Sequence, residues 1–153
     1  LHRRKLLLGP LGTLLSRVRA PNFLLRRAGE WLPRPAHATD PLEQACMELP
    51  RVYEHSMESY EPSKAVQAVF DVIAHTNELV QHTAPWSADT PLSDVHRCVY
   101  LSSEALRVCG TLLSPIMPRA MTTLLDALQV PAAQRTWAAL AFQDQIPLRR
   151  SSS

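Results

Sequence analysis

His75 and His82 stand seven residues apart, two turns along one expected helix, so their imidazoles share a face. Such a pair can begin a metal site, but zinc needs three or four ligands. No Cys or carboxylate completes the set at the spacings zinc uses. His2, His37, His55 and His96 are scattered. The chain has no Gly-rich phosphate loop, no Gly-x-Ser-x-Gly elbow and no His-Glu-x-x-His run. Cys46, Cys98 and Cys109 cannot all pair and form no Cys-x-x-Cys. Cys98 and Cys109 lie on expected helical faces and lack an obvious His and acid partner for a nucleophile, so buried, reduced thiols are expected. Neither a catalytic residue nor a metal site is read from these patterns.

Binding chemistry is better represented. Ala84-Pro85-Trp86 closes an amphipathic helical run, and Pro85 fixes the backbone just before a large aromatic ring. An indole held there is either a core plug or a stacking platform for an unstacked base. Nucleic-acid binding also needs cations, and these are unevenly spread. Residues 1–34 hold eight Arg or Lys and one acid, Glu30, for +7; residues 35–153 hold eight against thirteen, for −5. The sum is the net +2. A basic segment on a mildly acidic body points to a polyanion partner or a targeting segment. Arg17 could supply a polar contact beside Trp86 if the fold brings them together. Arg19, Arg26, Arg27 and Arg34 could reach phosphates.

The elements that position these groups are helical. The 153 residues suggest one domain, with 46% hydrophobic residues, 4 Gly and 13 Pro. Little of the chain alternates with period two, so helices joined by Pro-marked turns are expected, an all-α antiparallel bundle. No apolar run approaches the ~20 residues that span a bilayer. Residues 1–39 read as a basic helix end and a Pro/Arg-rich loop, 40–142 as the bundle, and 143–153 as a disordered tail. Residues 1–27, Arg-rich and free of acids, fit either a transit peptide or, over Leu11–Val18, a folded helix.

Asp40-Pro41-Leu42-Glu43 is a helix start, with Asp40 as cap and Glu43 completing a capping box. Leu42, Cys46, Leu49, Tyr53, Met57 and Tyr60 form its core stripe, and Pro50 should kink or split the helix. The run Val66–Trp86 reads as the organising element, with Val66, Phe70, Ile73, Asn77 and Val80 on its buried stripe. A long helix follows from Leu92, burying Leu92, Val95, Val99, Ser102, Leu106, Cys109 and Leu113. Arg119–Leu128 is a shorter helix with Met121, Leu124, Leu125 and Leu128 inward. A turn or two of helix surrounds Trp137.

Three segments together carry a family resemblance. Ala65–Trp86, ending Ala84-Pro85-Trp86, resembles the anticodon-binding domain of methionyl-tRNA synthetase. Arg107–Leu128 is similar to that family's long helix, Pro-x-x-Pro turn and Leu-rich short helix. Leu11-Gly12-Thr13-Leu14-Leu15-Ser16-Arg17 resembles its Leu-Gly-x-x-x-Ser/Asn-Arg helix facing the anticodon. The likeness runs over roughly residues 6 to 140.

The resemblance implies a helix bundle of the class I synthetase anticodon-binding type. It implies Trp86 stacking on the first anticodon base, a cytosine, with Arg17 as the polar reader and Thr13 where bacterial members tend to carry Asn. A hydroxyl has fewer hydrogen-bonding positions than an amide. The partner implied is a tRNA with a CAU anticodon, and beyond it the protein's own catalytic domain. No HIGH-type or KMSKS-type signature is present, so no cofactor is expected in this chain. ATP with magnesium serves the parent methionine–tRNA ligase. The short form is more like organellar or bacterial monomeric members, which implies a monomer in the mitochondrial matrix, or otherwise the cytoplasm. The alternatives are the equivalent domain of a cysteinyl, valyl or leucyl enzyme, or a helical protein-interaction module.

Overall fold

The computed structural model describes residues 31–35, 41–84, 87 and 89–147. Four helices form its body: α1 (Pro41–Glu58), α2 (Pro62–Thr83), α3 (Leu92–Leu113) and α4 (Pro118–Ala127). Two short 3₁₀ turns follow, Ala132–Gln134 and Trp137–Ala139. Strands β1 (Trp31–Pro33) and β2 (Gln145–Pro147) pair antiparallel, with Leu32 opposite Ile146. The expected all-α bundle is what forms, with this small ladder added.

α3 is the central element. Every residue from Cys98 to Leu113 is buried, because α1, α2, α4 and the ladder all pack against this helix. The sequence pattern points to Val66–Trp86 for that place. α2 instead shows the ordinary one-sided burial of an outer helix, on Ala65, Val69, Val72, Ile73, Thr76 and Val80. Ile73 and Val80 of the expected stripe are thus buried, while Val66, Phe70 and Asn77 are half-buried on the flank.

The inward residues expected of α1 hold as far as Tyr53: Leu42, Cys46, Leu49 and Tyr53 are buried. Met57 and Tyr60 do not follow; they are 42% and 93% exposed. The reason is geometric. The helix ends at Glu58, and the Glu61 N–H donates to the Ser56 carbonyl at 2.8 Å while Tyr60 turns to φ 58°. That closure leaves the last turn outside the core. Pro50 does not split α1, which runs unbroken from Pro41 to Glu58. Asp40 lies outside the described residues. Glu43 is buried with its carboxylate paired to Arg34.

α3 and α4 behave as expected along most of their lengths. Val95, Val99, Ser102, Leu106, Cys109 and Leu113 are buried, as are Met121, Leu124, Leu125 and Leu128. Leu92 departs from the pattern at 48% exposed, since it opens the first turn of α3. Gly110 permits the close approach of α4: an added Cβ would lie 3.1 Å from Leu124 and 3.2 Å from Leu125. The three cysteines are buried and free. Residues 143–147, read as the start of a tail, instead bury Ile146 and supply β2.

Candidate nucleic-acid interface

Thr13, Arg17, Arg19, Arg26, Arg27 and Trp86 all lie outside the described residues, as does the expected helix over Leu11–Val18. What the structure gives is the frame around them. On the Trp86 side that frame is the exit of α2. Ala84 leaves the helix at φ 47°, ψ 62°, and its N–H donates to Val80 at 3.0 Å. The Thr90 hydroxyl spans the turn, within 2.8 Å of the Ala84 carbonyl and 3.2 Å of the Thr83 carbonyl. The Ser87 N–H donates to Ala84 at 2.9 Å, and Asp94 and Val95 N–H both donate to Pro91 at 3.1 Å. Carbonyls at a helix end lack intrahelical partners. Here side-chain and turn donors satisfy two of them, so the residues flanking Pro85 and Trp86 are held from both sides.

On the basic side the frame is β1, where residue 31 continues the segment carrying the other candidates. Arg34 has its guanidinium paired with the Glu43 carboxylate, and its backbone N–H donates to Asp144 at 2.7 Å. The fold uses this cation to join the start of α1 to the ladder.

A buried polar constellation among the described residues carries no signature that was recognised in the sequence. Glu104 and Arg107 are fully buried on adjacent turns of α3 and pair at 2.7 Å. Arg107 Nη1 donates to the carbonyls of Gln134 at 3.0 Å and Ala139 at 2.6 Å. Nη2 donates to Ala141 at 2.8 Å. The Gln143 N–H approaches Glu104 Oε2 at 3.4 Å, and the Tyr100 hydroxyl donates to the Gln143 carbonyl. The Phe142 ring meets Tyr100 edge-on at 6.0 Å. Desolvation holds the Glu104 carboxyl above its ordinary range, against the pull of Arg107. The signal was available: Glu104 and Arg107 are the only charged residues between Cys98 and Leu113, and charges in such a run are buried only when paired. Among the described residues, no three His, Cys, Asp or Glu side chains converge as a metal set.

The class these features define is a small helical domain: among the described residues, four helices, a restrained helix exit and a polar clamp that is structural. The comparisons supply the family. Residues 28–148 match the model of the anticodon binding domain of methionyl tRNA ligase, and the chain belongs to that family. The mitochondrial methionine–tRNA ligase of Takifugu rubripes is 38% identical over 98 residues, which is 61% of this chain and 17% of that protein. The human mitochondrial enzyme is 32% identical over 105 residues, 66% of this chain and 18% of that protein. The chain thus spans under a fifth of the length of these relatives. The fold matches Mycobacterium tuberculosis methionyl-tRNA synthetase bound by methionyl-adenylate with a TM-score of 0.77 at 19% identity, covering 94% of this chain and 30% of that one.

Proposed function

We propose that this chain recognises the CAU anticodon of the methionine tRNA, as the anticodon-binding portion of a methionine–tRNA ligase. The family match over residues 28–148 carries the reading. In it, Trp86 stacks on the first anticodon base, Arg17 reads base edges, and Thr13 adds a hydroxyl contact. Arg19, Arg26 and Arg27 neutralise phosphates and give affinity that falls with salt. Stacking of one base is worth about 1–3 kcal/mol, and edge hydrogen bonds then discriminate among bases. The restraint of Ala84 and Thr90 around the α2 exit supports the platform role, because flanking residues that are already fixed leave less to order on binding.

The parent enzyme would join methionine to its tRNA with ATP and magnesium. The described residues carry no donor set suited to that group, so no step of the ligation is assigned to them. Relatives named as mitochondrial in fish, human and Neurospora crassa support a mitochondrial site of action. In the domain plan we favour, the basic segment and the bundle act as one binding unit, with the ladder part of it.

The test is binding of a CAU anticodon stem-loop. Trp86→Ala should weaken it roughly five- to a hundredfold with the fold retained. Loops carrying the cysteine, valine or leucine anticodons should bind more weakly. Affinity unmoved by Trp86→Ala, or indifferent to the anticodon, sinks the reading.

A further inference from the structure

The β1–β2 ladder is too small to hold itself. It has three facing pairs, and Pro33 and Pro147 have no N–H to donate. Two-stranded pairs of this size are marginal in water. Its position comes from what fastens the two strands. β1 lies against α3 and is tied to α1 by the Arg34–Glu43 pair; β2 is fastened by the row Tyr100, Glu104 and Arg107, which lies along one face of α3. Tyr100 and Glu104 hold the two polar groups of the Gln143 backbone, and Arg107 holds the carbonyls of Gln134, Ala139 and Ala141. Phe142 and Ile146 are buried alongside. β1 is in turn tied to this strap by its pairing and by the Arg34 N–H to Asp144 at 2.7 Å.

We infer that Tyr100, Glu104 and Arg107 are positioning residues for RNA recognition: by anchoring residues 134–146 to α3 they set, through the ladder, where the basic segment joins the bundle. The inference rests on the functional reading above, in which Arg17 and Thr13 contact the anticodon. Arg27 precedes Trp31 by only four positions, so a shift of β1 is a shift in the origin of that segment. The choice of side chain fits. Apolar residues of equal volume would pack the strap as well, but would leave its register along α3 free. A guanidinium fork directed at three carbonyls fixes both register and orientation.

A double-mutant cycle on the full chain decides it. Tyr100→Phe removes one hydroxyl and keeps the ring against Phe142, so the protein should fold, with a thermal midpoint lowered by a few degrees for the lost hydrogen bond. By loosening the strap it should also weaken binding of a CAU stem-loop about fivefold, the low end of coupling between two sites. With Arg17→Ala already present, the same change should cost roughly twofold or less. Equal losses with and without Arg17, or no loss from Tyr100→Phe, overturn the positioning role. If Arg17→Ala alone leaves affinity untouched, the reading of the anticodon site has failed instead, and this inference goes with it.

Discussion

The Arg107 guanidinium lies 2.7 Å from the Glu104 carboxylate, with 1% of each side chain exposed. The pair sits within one helix, three residues apart, yet its remaining donors leave the helix. They are spent on backbone carbonyls more than twenty-five residues further along the chain. A residue pair local in sequence therefore closes a long-range contact.

Removing the cation should be costly. Arg107→Ala strands a buried carboxylate and unpairs three carbonyls, so it should destabilise by about 3–5 kcal/mol. Glu104→Gln retains an acceptor and should cost less. Urea unfolding of both variants checks the order. A loss under about 1 kcal/mol for Arg107→Ala would mean the strap has little hold on the bundle.

Tyr60 offers the opposite sign. It closes α1 at φ 58° and is 93% exposed. A left-handed conformation costs a side-chain-bearing residue roughly 1–2 kcal/mol, while glycine adopts it freely. Tyr60→Gly should raise stability by about 1 kcal/mol, net of its greater freedom when unfolded. A lowered melting midpoint would show that the exposed phenol ring has a partner in solution.

Thr90 tests the α2 exit. Thr90→Val keeps the shape and loses the hydroxyl that bonds the carbonyls of Ala84 and Thr83. Stability should fall by about 0.5–1.5 kcal/mol. If Trp86 is the stacking platform, stem-loop affinity should fall too. Affinity preserved alongside reduced stability would separate the exit from RNA binding.

Alkaline pH should weaken the fold. Burial pushes the Cys46 thiol from 9.0 up to about 12. Cys109 and the Tyr100 phenol are raised by burial as well. Each group loses its proton more readily when unfolded. The associated stability is thus complete below about pH 9 and is lost as pH rises toward 12. The slope is at most about 1.4 kcal/mol per unit for each group. Denaturant midpoints at about pH 8 and about pH 10 should differ in that direction. In the native state the buried thiols should resist disulfide reagents until the chain unfolds.

Much of this architecture could be read from spacing. Leu42, Cys46, Leu49 and Tyr53 fall at helical intervals and are buried. Met121, Leu124, Leu125 and Leu128 do so again. Periodicity failed where a helix end intervened, at Met57, Tyr60 and Leu92. On α2 it held at Ile73 and Val80 and failed at Val66, Phe70 and Asn77, which lie one position from the buried Ala65, Val69 and Thr76. A pattern-based reading favours bulky residues, whereas close helix packing selects small ones. The β strands were missed because three residues carry no period. The clamp was missed because its carbonyl partners are backbone atoms, which any sequence supplies. The family resemblance, by contrast, rested on the order of three segments and did not depend on locating any one face.

The ladder also sets how this fold meets a mechanical load. Trp31 stands opposite Pro147, so tension applied at these two points would peel the strands apart pair by pair instead of shearing them together. On the β2 side the pull would then reach the carbonyls held by Arg107, and on the β1 side the Arg34–Glu43 pair at the start of α1.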